Sequence, residues 1–177
     1  MRMSPRRLLL AAAAGALALT GTVATTPAGA AENAATLTHA QAVARLKAAD
    51  VSVSSSKHCS DRNDRGCTSL DGVRTATIDG VIGLRRASGC DITITGGTEV
   101  GHSENGDYRH DNGYKVDVSL TECVTKHIER HAAKGETRGD GAPQWTAPGV
   151  VYAKETAKHH WDITYTGGTG RSGAPTA

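Results

Sequence analysis

The spacing of apolar residues along the chain switches several times between a helical and a strand-like pattern. Apolar residues three or four positions apart predict helices over 38–50, 70–89 and 121–134. Alternation of apolar and polar residues predicts strands over 91–95 and 114–120 and a final hairpin of 150–153 with 159–165. The predicted loops cover 51–68, 96–112 and 138–149. This order of elements predicts an α+β fold, in which helices pack beside a small, mainly antiparallel sheet.

The first 30 residues have the features of a secretory leader. Arg2, Arg6 and Arg7 form a basic head, an apolar run covers 8–19, and a small-residue triplet ends at Ala30. The apolar run is too short to span a bilayer, which takes about 20 residues. We therefore expect a secreted, extracellular protein without a membrane span.

Removal of this leader changes the size and the charge of the chain. The mature part is expected to be one domain over 31–165, followed by a Gly/Ser/Thr-rich tail over 166–177. The leader carries three of the 20 basic residues, so the mature chain is nearly neutral. A chain without a strong basic patch is not expected to bind nucleic acid.

Four cysteines lie in the mature part of the chain, and an even number in an exported protein predicts two disulfides. Three pairings are possible. We favour Cys59–Cys67, which closes a short polar loop, and Cys90–Cys123, which ties the start of a strand to the following helix. A zinc site built from four thiolates is disfavoured because the sequence has no CxxC pair.

Residues with metal-binding chemistry concentrate in the second half of the chain. His110, Gly113 and Asp117 form an HxxGxxxD pattern that runs from the long loop into a predicted strand. The last predicted strand offers His160 and Asp162 on one face. If this strand pairs beside the strand of Asp117, two imidazoles and one carboxylate converge, which is a ligand set of catalytic zinc sites.

The segments HDNGYKVD and VYAKETAKHHWDITY resemble the zinc D-Ala-D-Ala carboxypeptidase and endopeptidase superfamily, which shares its fold with the hedgehog signalling domain. The resemblance implies a zinc-dependent peptidase that hydrolyses amide bonds, with peptidoglycan peptides as the substrate. It further implies that His110, Asp117 and His160 hold Zn²⁺ and that Glu155 takes a proton from the attacking water. In the hedgehog-type spacing, Asp162 replaces His160 as the third ligand.

Several positions depart from the family pattern. The strand before the long loop continues as Gly-Gly-Thr-Glu, so an arginine that the family uses to hold a terminal carboxylate is missing from its usual place. Tyr108 stands where the family has a serine, and Glu155 lies five residues before His160 instead of three. We expect Tyr108, Arg109 and His102 to contact the substrate, with Arg109 as a substitute for the missing arginine.

Two other hypotheses fit the same residues. The missing arginine and the displaced Glu155 are compatible with a zinc-bearing binding or structural domain that does not turn over substrate. A metal-free secreted disulfide domain is the third hypothesis. The sequence does not distinguish an endopeptidase from a carboxypeptidase, and a monomer is the default expectation.

Overall fold

The computed structural model describes residues 35–103 and 105–167. The predicted leader and residues 168–177 of the predicted tail lie outside these ranges. The helices are α1 (His39–Lys47), α2 (Thr75–Ser88) and α3 (Glu122–His131). The strands are β1 (Thr36–Leu37), β2 (Val51–Val53), β3 (Val73–Arg74), β4 (Ile92–Gly96), β5 (Lys115–Ser119), β6 (Ala133–Lys134), β7 (Gln144–Ala147), β8 (Val150–Glu155) and β9 (His160–Tyr165).

Local side-chain chemistry sets the ends of the helices. The side chain of Thr38 accepts a hydrogen bond from the backbone N–H of Gln41, and the side chain of Gln41 accepts one from the backbone N–H of Thr38. Helix α1 therefore begins with a capping box. Helix α3 begins at a simpler N-cap, in which the side chain of Thr121 accepts a hydrogen bond from the backbone N–H of Val124. Helix α2 ends at Gly89, which has the left-handed conformation that glycine adopts without strain.

Seven of the strands form one mixed sheet in the order β2-β4-β5-β9-β8-β7-β6. Only the β2–β4 pair is parallel, and all other neighbours in this sheet are antiparallel. Strands β1 and β3 form a separate two-stranded antiparallel sheet. The expectation of a mixed helix-and-sheet domain with a mainly antiparallel sheet is confirmed, although the main sheet is larger than expected.

The core lies between one face of the main sheet and the helices. Ile94, Val118 and Ile163 come from three adjacent strands and are fully buried, as are Ile78 and other apolar residues of α2. The chain has no Phe. The large aromatic side chain of the core is Trp161, which is fully buried. Its ring packs edge-on against the ring of Trp145, with 5.4 Å between the ring centroids.

Four predicted assignments are wrong. The third helix ends at His131 and not at residue 134, because 133–134 pair with 145–146 as β6. The second helix begins at Thr75 and not at residue 70, because 73–74 pair with 36–37 and are held in an extended conformation. Residues 51–53 and 144–147 were expected in loops but form β2 and β7. Both strands are too short to show a clear alternation of apolar and polar residues. Their extended conformation comes from pairing with β4 and β8.

Both predicted disulfides are present, Cys59–Cys67 and Cys90–Cys123. The second connects Cys90, two residues before the start of β4, to the first turn of α3, as expected. Within 35–103 and 105–167, no helix is long and apolar enough to cross a membrane.

Candidate metal centre

The polar face of the main sheet brings together residues that are far apart in the sequence. Strand β5 pairs with β9 so that Asp117 is opposite Asp162, and β8 pairs with β9 so that Glu155 is opposite His160. Opposite residues of an antiparallel pair, and residues two apart on one strand, point to the same face. All four side chains therefore project away from the core side, where Trp161 and Ile163 lie. The predicted pairing of the last strand beside the strand of Asp117 is confirmed.

The loop between β4 and β5 adds His110 to this face. Its Nδ1 lies 2.8 Å from the carbonyl oxygen of Gly97. Because a carbonyl only accepts hydrogen bonds, Nδ1 carries the proton, and Nε2 of the neutral ring presents a lone pair. This is the orientation that proteins commonly give to a metal-binding histidine.

Asp117 lies at the centre of the group. Its Oδ1 is 3.5 Å from Nε2 of His110 and also 3.5 Å from Nε2 of His160. Among the described residues, this oxygen has no hydrogen-bond partner, although Asp117 is only 4% exposed. Two ligand atoms of a tetrahedral zinc ion lie about 3.3 Å apart, since each is about 2.0–2.1 Å from the metal. The two separations are close to that value.

Asp162 is the other candidate for the third ligand, and it also faces the centre. Its Oδ1 is 3.8 Å from Nε2 of His110 and has no hydrogen-bond partner within the described part of the chain. Its Oδ2 accepts hydrogen bonds from Lys115 at 3.0 Å and from Arg138 at 2.6 Å. His160 and Asp162 thus both border the centre, and the choice between them stays a prediction.

Burial shifts the pKa values of the two central residues in opposite directions. Burial, the largest cause, lowers the pKa of His110 to about 4, since the charged imidazolium is poorly solvated there. Burial likewise raises the pKa of Asp117 to about 7, and the nearby carboxylates of Asp162 and Glu155 add to this effect. A cation at the centre would relieve the repulsion among these carboxylates.

Glu155 is held at the edge of the group by three cationic or polar partners. Its Oε2 accepts hydrogen bonds from Lys158 at 2.7 Å and from Nε2 of His160 at 2.9 Å, and its Oε1 accepts one from Arg138. Burial disfavours the ionised form, but the hydrogen bonds from Lys158 and Arg138 outweigh it and lower the pKa of Glu155. Glu155 is therefore ionised at neutral pH.

His102 belongs to the same cluster. The potential ligand atoms of His102, His110 and Asp117 all lie within 4.8 Å of one another. The ring of His102 stacks on that of His110, with 3.8 Å between the centroids and 11° between the planes. His102 was expected to contact substrate, and its position also makes it a potential ligand.

The cluster opens into a cleft of about 620 Å³. Its lining includes the acidic and imidazole groups above together with four cationic side chains, which are Arg65, Lys115, Arg138 and Lys158. Tyr108 and Arg109 are not among the described residues that line it. Tyr108 is 43% exposed and meets Tyr114 edge-on at 4.9 Å, while Arg109 bonds Asp111 at 2.7 Å.

A second group of potential ligands, Cys59, Asp64 and Cys67, lies at the surface loop. Its two sulfur atoms form a disulfide, whereas metal binding by cysteine requires the thiolate. The disulfide therefore accounts for the closeness of these residues, and we do not assign a metal site to them.

Sequence reasoning missed the role of Arg138. It lies in a segment expected to be an irregular loop, and its contacts with Asp162 and Glu155 span 24 and 17 residues. No local spacing signals such contacts.

Comparisons of this chain with protein-family models, with curated proteins and with solved structures gave no match.

Proposed function

We propose that this chain is an exported zinc-dependent peptidase that hydrolyses amide bonds in peptidoglycan peptides. The proposal rests on the resemblance in HDNGYKVD and the late hairpin, and on one structural observation. That observation is the buried Oδ1 of Asp117, which has no hydrogen-bond partner among the described residues and lies 3.5 Å from an imidazole nitrogen of His110 and 3.5 Å from one of His160.

The residues of the centre fit a zinc ion. Imidazole nitrogens and carboxylate oxygens are ligands that zinc accepts, and three protein ligands with one open position are typical of catalytic zinc. We assign His110, Asp117 and His160 as these ligands, with Asp162 as the alternative to His160. To bind the ion through Nε2, His160 would have to give up its hydrogen bond to Glu155 and move closer, since the group whose ligand atoms all lie within 4.8 Å of one another is His102, His110 and Asp117. A buried carboxylate oxygen without a partner is costly, and a cation would remove this cost.

When bound, zinc would polarise the scissile carbonyl and lower the pKa of a water molecule, so that hydroxide is available to attack the carbonyl carbon. The chain's own residues would prepare and complete this step. Glu155 is ionised, so it would take the proton of the attacking water and deliver it to the leaving amine. Lys158 and Arg138 fix the orientation of its carboxylate.

The cleft supports a peptide substrate that carries carboxylates. Lys115, Arg138 and Lys158 pair with Asp162 and Glu155, so Arg65 is the lining cation that we expect to bind an acidic group of a peptidoglycan peptide. These cations come from four different chain segments.

A specific observation favours a second candidate, a zinc-bearing domain of the same type without turnover. Both oxygens of Glu155 already accept hydrogen bonds, from Arg138, Lys158 and His160. A base engaged in this way must lose at least one contact before it binds a water proton.

Metal content and peptidoglycan digestion, measured together, test the proposal. We expect the wild type, purified without added metal, to carry one zinc ion and to release amines from purified peptidoglycan. His110→Ala should lose the zinc. Glu155→Gln should keep the zinc and lose about 10²–10⁴-fold in rate, which is the usual contribution of a general base. His131→Ala, on the surface of α3, is the matched control and should behave as wild type.

Different outcomes contradict different parts of the proposal. Zinc-loaded wild type that releases no amine would favour the non-catalytic domain. Wild type that binds no zinc, even when zinc is supplied, would favour the metal-free disulfide domain.

A further inference from the structure

Glu99 and His102 form a buried pair that the proposed mechanism does not use. Glu99 is 4% exposed, and its carboxylate accepts backbone hydrogen bonds from Ser69 at 2.7 Å and from Gly97 at 3.1 Å. Its third partner is Nε2 of His102 at 3.0 Å. The carboxylate is thus fixed in place by the backbone, and it fixes one nitrogen of the imidazole.

The other nitrogen of His102 faces the centre. Because an ionised carboxylate only accepts hydrogen bonds, Nε2 of His102 donates to Glu99, and Nδ1 is the nitrogen left for other contacts. Nδ1 lies 3.8 Å from Oδ2 of Asp117, whereas His110 and His160 approach Oδ1 of the same carboxylate. A buried carboxylate that orients an imidazole towards a potential metal is a common arrangement around metal ligands.

The charges near His102 favour a cation. Its Nε2 lies 3.0 Å from Oε1 of Glu99, and its Nδ1 lies 3.8 Å from Oδ2 of Asp117. The negative charge of carboxylates near both nitrogens attracts a metal ion.

We propose that His102 is an additional ligand of the same cation, supplying Nδ1 as a third imidazole, with Glu99 as the residue that orients it. The inference rests on the metal centre of the proposed function. The rings of His102 and His110 are stacked, so joint binding of one ion requires the His102 ring to turn about χ2, a torsion with a broad energy minimum, by an amount that keeps Nε2 within hydrogen-bond distance of Glu99.

This assignment has a consequence for access to the centre. A catalytic zinc site leaves one position to water or substrate, whereas four protein ligands close a site. His102 comes from the loop between β4 and β5 and lies over His110. It is the ligand that would leave when a substrate binds, while the ligands on the sheet stay in place.

Zinc affinity and X-ray absorption at the zinc edge, measured on the full protein, test the inference. We expect three imidazoles at the zinc of wild type and two in His102→Ala, with a zinc Kd at least tenfold higher in the variant. Glu99→Gln should raise the Kd by about 10–100-fold, the usual effect of removing an orienting partner. His102→Gln keeps a side chain that can donate to Glu99 but has no imidazole, so it should match His102→Ala. His131→Ala should leave both readouts unchanged.

The possible failures are distinguishable. Two imidazoles in both wild type and His102→Ala, with equal Kd, would overturn the inference and leave the proposed function standing. Binding of two zinc ions, one of which is lost in His102→Ala, would overturn the single-ion assignment. Absence of zinc binding by a folded wild type would overturn the proposed function itself.

Discussion

Gly113 couples the HxxGxxxD motif to the fold through its backbone. Its φ is +80°, and an added Cβ would lie 2.5 Å from the carbonyl oxygen of Gly72 and 2.8 Å from the backbone nitrogen of Arg74. The backbone N–H of Arg74 donates a hydrogen bond of 3.2 Å to the carbonyl oxygen of Gly113, which holds the two segments close together. Glycine is required here by conformation and by space together, and the turn it permits brings His110 to the start of β5.

We predict that Gly113→Ala lowers the free energy of unfolding by about 3 kcal/mol or more, because strain at positive φ adds to a clash with rigid backbone. Gly89→Ala is the matched control. Gly89 has φ +67° but nothing within 4 Å of an added Cβ, so only the conformational cost of about 1 kcal/mol is expected. Urea denaturation of both variants measures the difference, and equal losses would contradict the argument from space.

Arg138 compensates the carboxylates of two strands. It bonds Asp162 on β9 and Glu155 on β8, and its side chain is 26% exposed. Lys115 and Lys158 each contact one of the same carboxylates. Removal of Arg138 would therefore weaken the compensation of these charges without abolishing it.

We predict that Arg138→Ala costs about 1–2 kcal/mol of stability, below the 3–5 kcal/mol of a fully buried pair, since solvent and two lysines screen the carboxylates. Arg86→Ala, an exposed position on α2, should stay within about 0.5 kcal/mol of wild type. Chemical denaturation near pH 7 provides the measurement. If Arg138→Ala loses no more stability than Arg86→Ala, then Lys115 and Lys158 alone neutralise the carboxylates of Asp162 and Glu155, and the prediction is wrong.

At the level of elements, the two disulfides constrain loops of different length. Cys59–Cys67 joins residues 8 apart within one surface loop, whereas Cys90–Cys123 joins residues 33 apart and connects β4 to α3. The longer loop contains the whole β4–β5 hairpin with His110 and Asp117. This bond restricts the part of the chain that carries two of the proposed ligands.

Chain entropy predicts that loss of the longer cross-link is more costly. Cys90→Ala with Cys123→Ala should lower the free energy of unfolding by about 3.7 kcal/mol, and Cys59→Ala with Cys67→Ala by about 2.5 kcal/mol. Denaturation of the two double variants tests this order. A larger loss from the short loop would indicate that folded-state contacts of that loop outweigh the entropy of the unfolded chain.

At the level of the whole molecule, the proposed metal would join segments that are distant in the chain. The loop before β5, β5 itself and the β8–β9 hairpin all contribute side chains to one cleft. A ligand that binds only the folded state stabilises it by mass action. Zinc should therefore act on the stability of the entire domain.

We predict that zinc at 100 times its Kd stabilises the chelator-treated protein by about 2.7 kcal/mol, or about 10 °C in Tm for a domain of this size. His110→Ala should show no such shift, which separates the centre from surface binding. Magnesium at the same concentration should have little effect, because it prefers oxygen ligands. Equal shifts from both metals, or none from zinc, would contradict the prediction.

The success of the sequence prediction depended on how local each feature is. His110 and Asp117 are seven residues apart, and Val116, Val118 and Ile163 show the alternation of strands, so the ligand-bearing elements were recognisable. The roles of Glu99 and Arg138 were not. Glu99 bonds His102 three residues away, but the backbone N–H of Ser69 that also fixes it lies 30 residues away, and the partners of Arg138 lie 17 and 24 residues away. No local periodicity or motif encodes these distant contacts.

Some features of this protein follow from the amino-acid sequence alone, and others arise only from the tertiary structure. The amino-acid pattern was sufficient to predict the three helices and the longer strands and to favour the disulfide pairs that the structure has, because each depends on residue chemistry and on spacing along the chain. The three-dimensional arrangement decided which carboxylates are left without hydrogen bonds, which cations neutralise the others, and where His102 points. These properties depend on burial and on contacts between distant segments, which exist only after the sheet has formed.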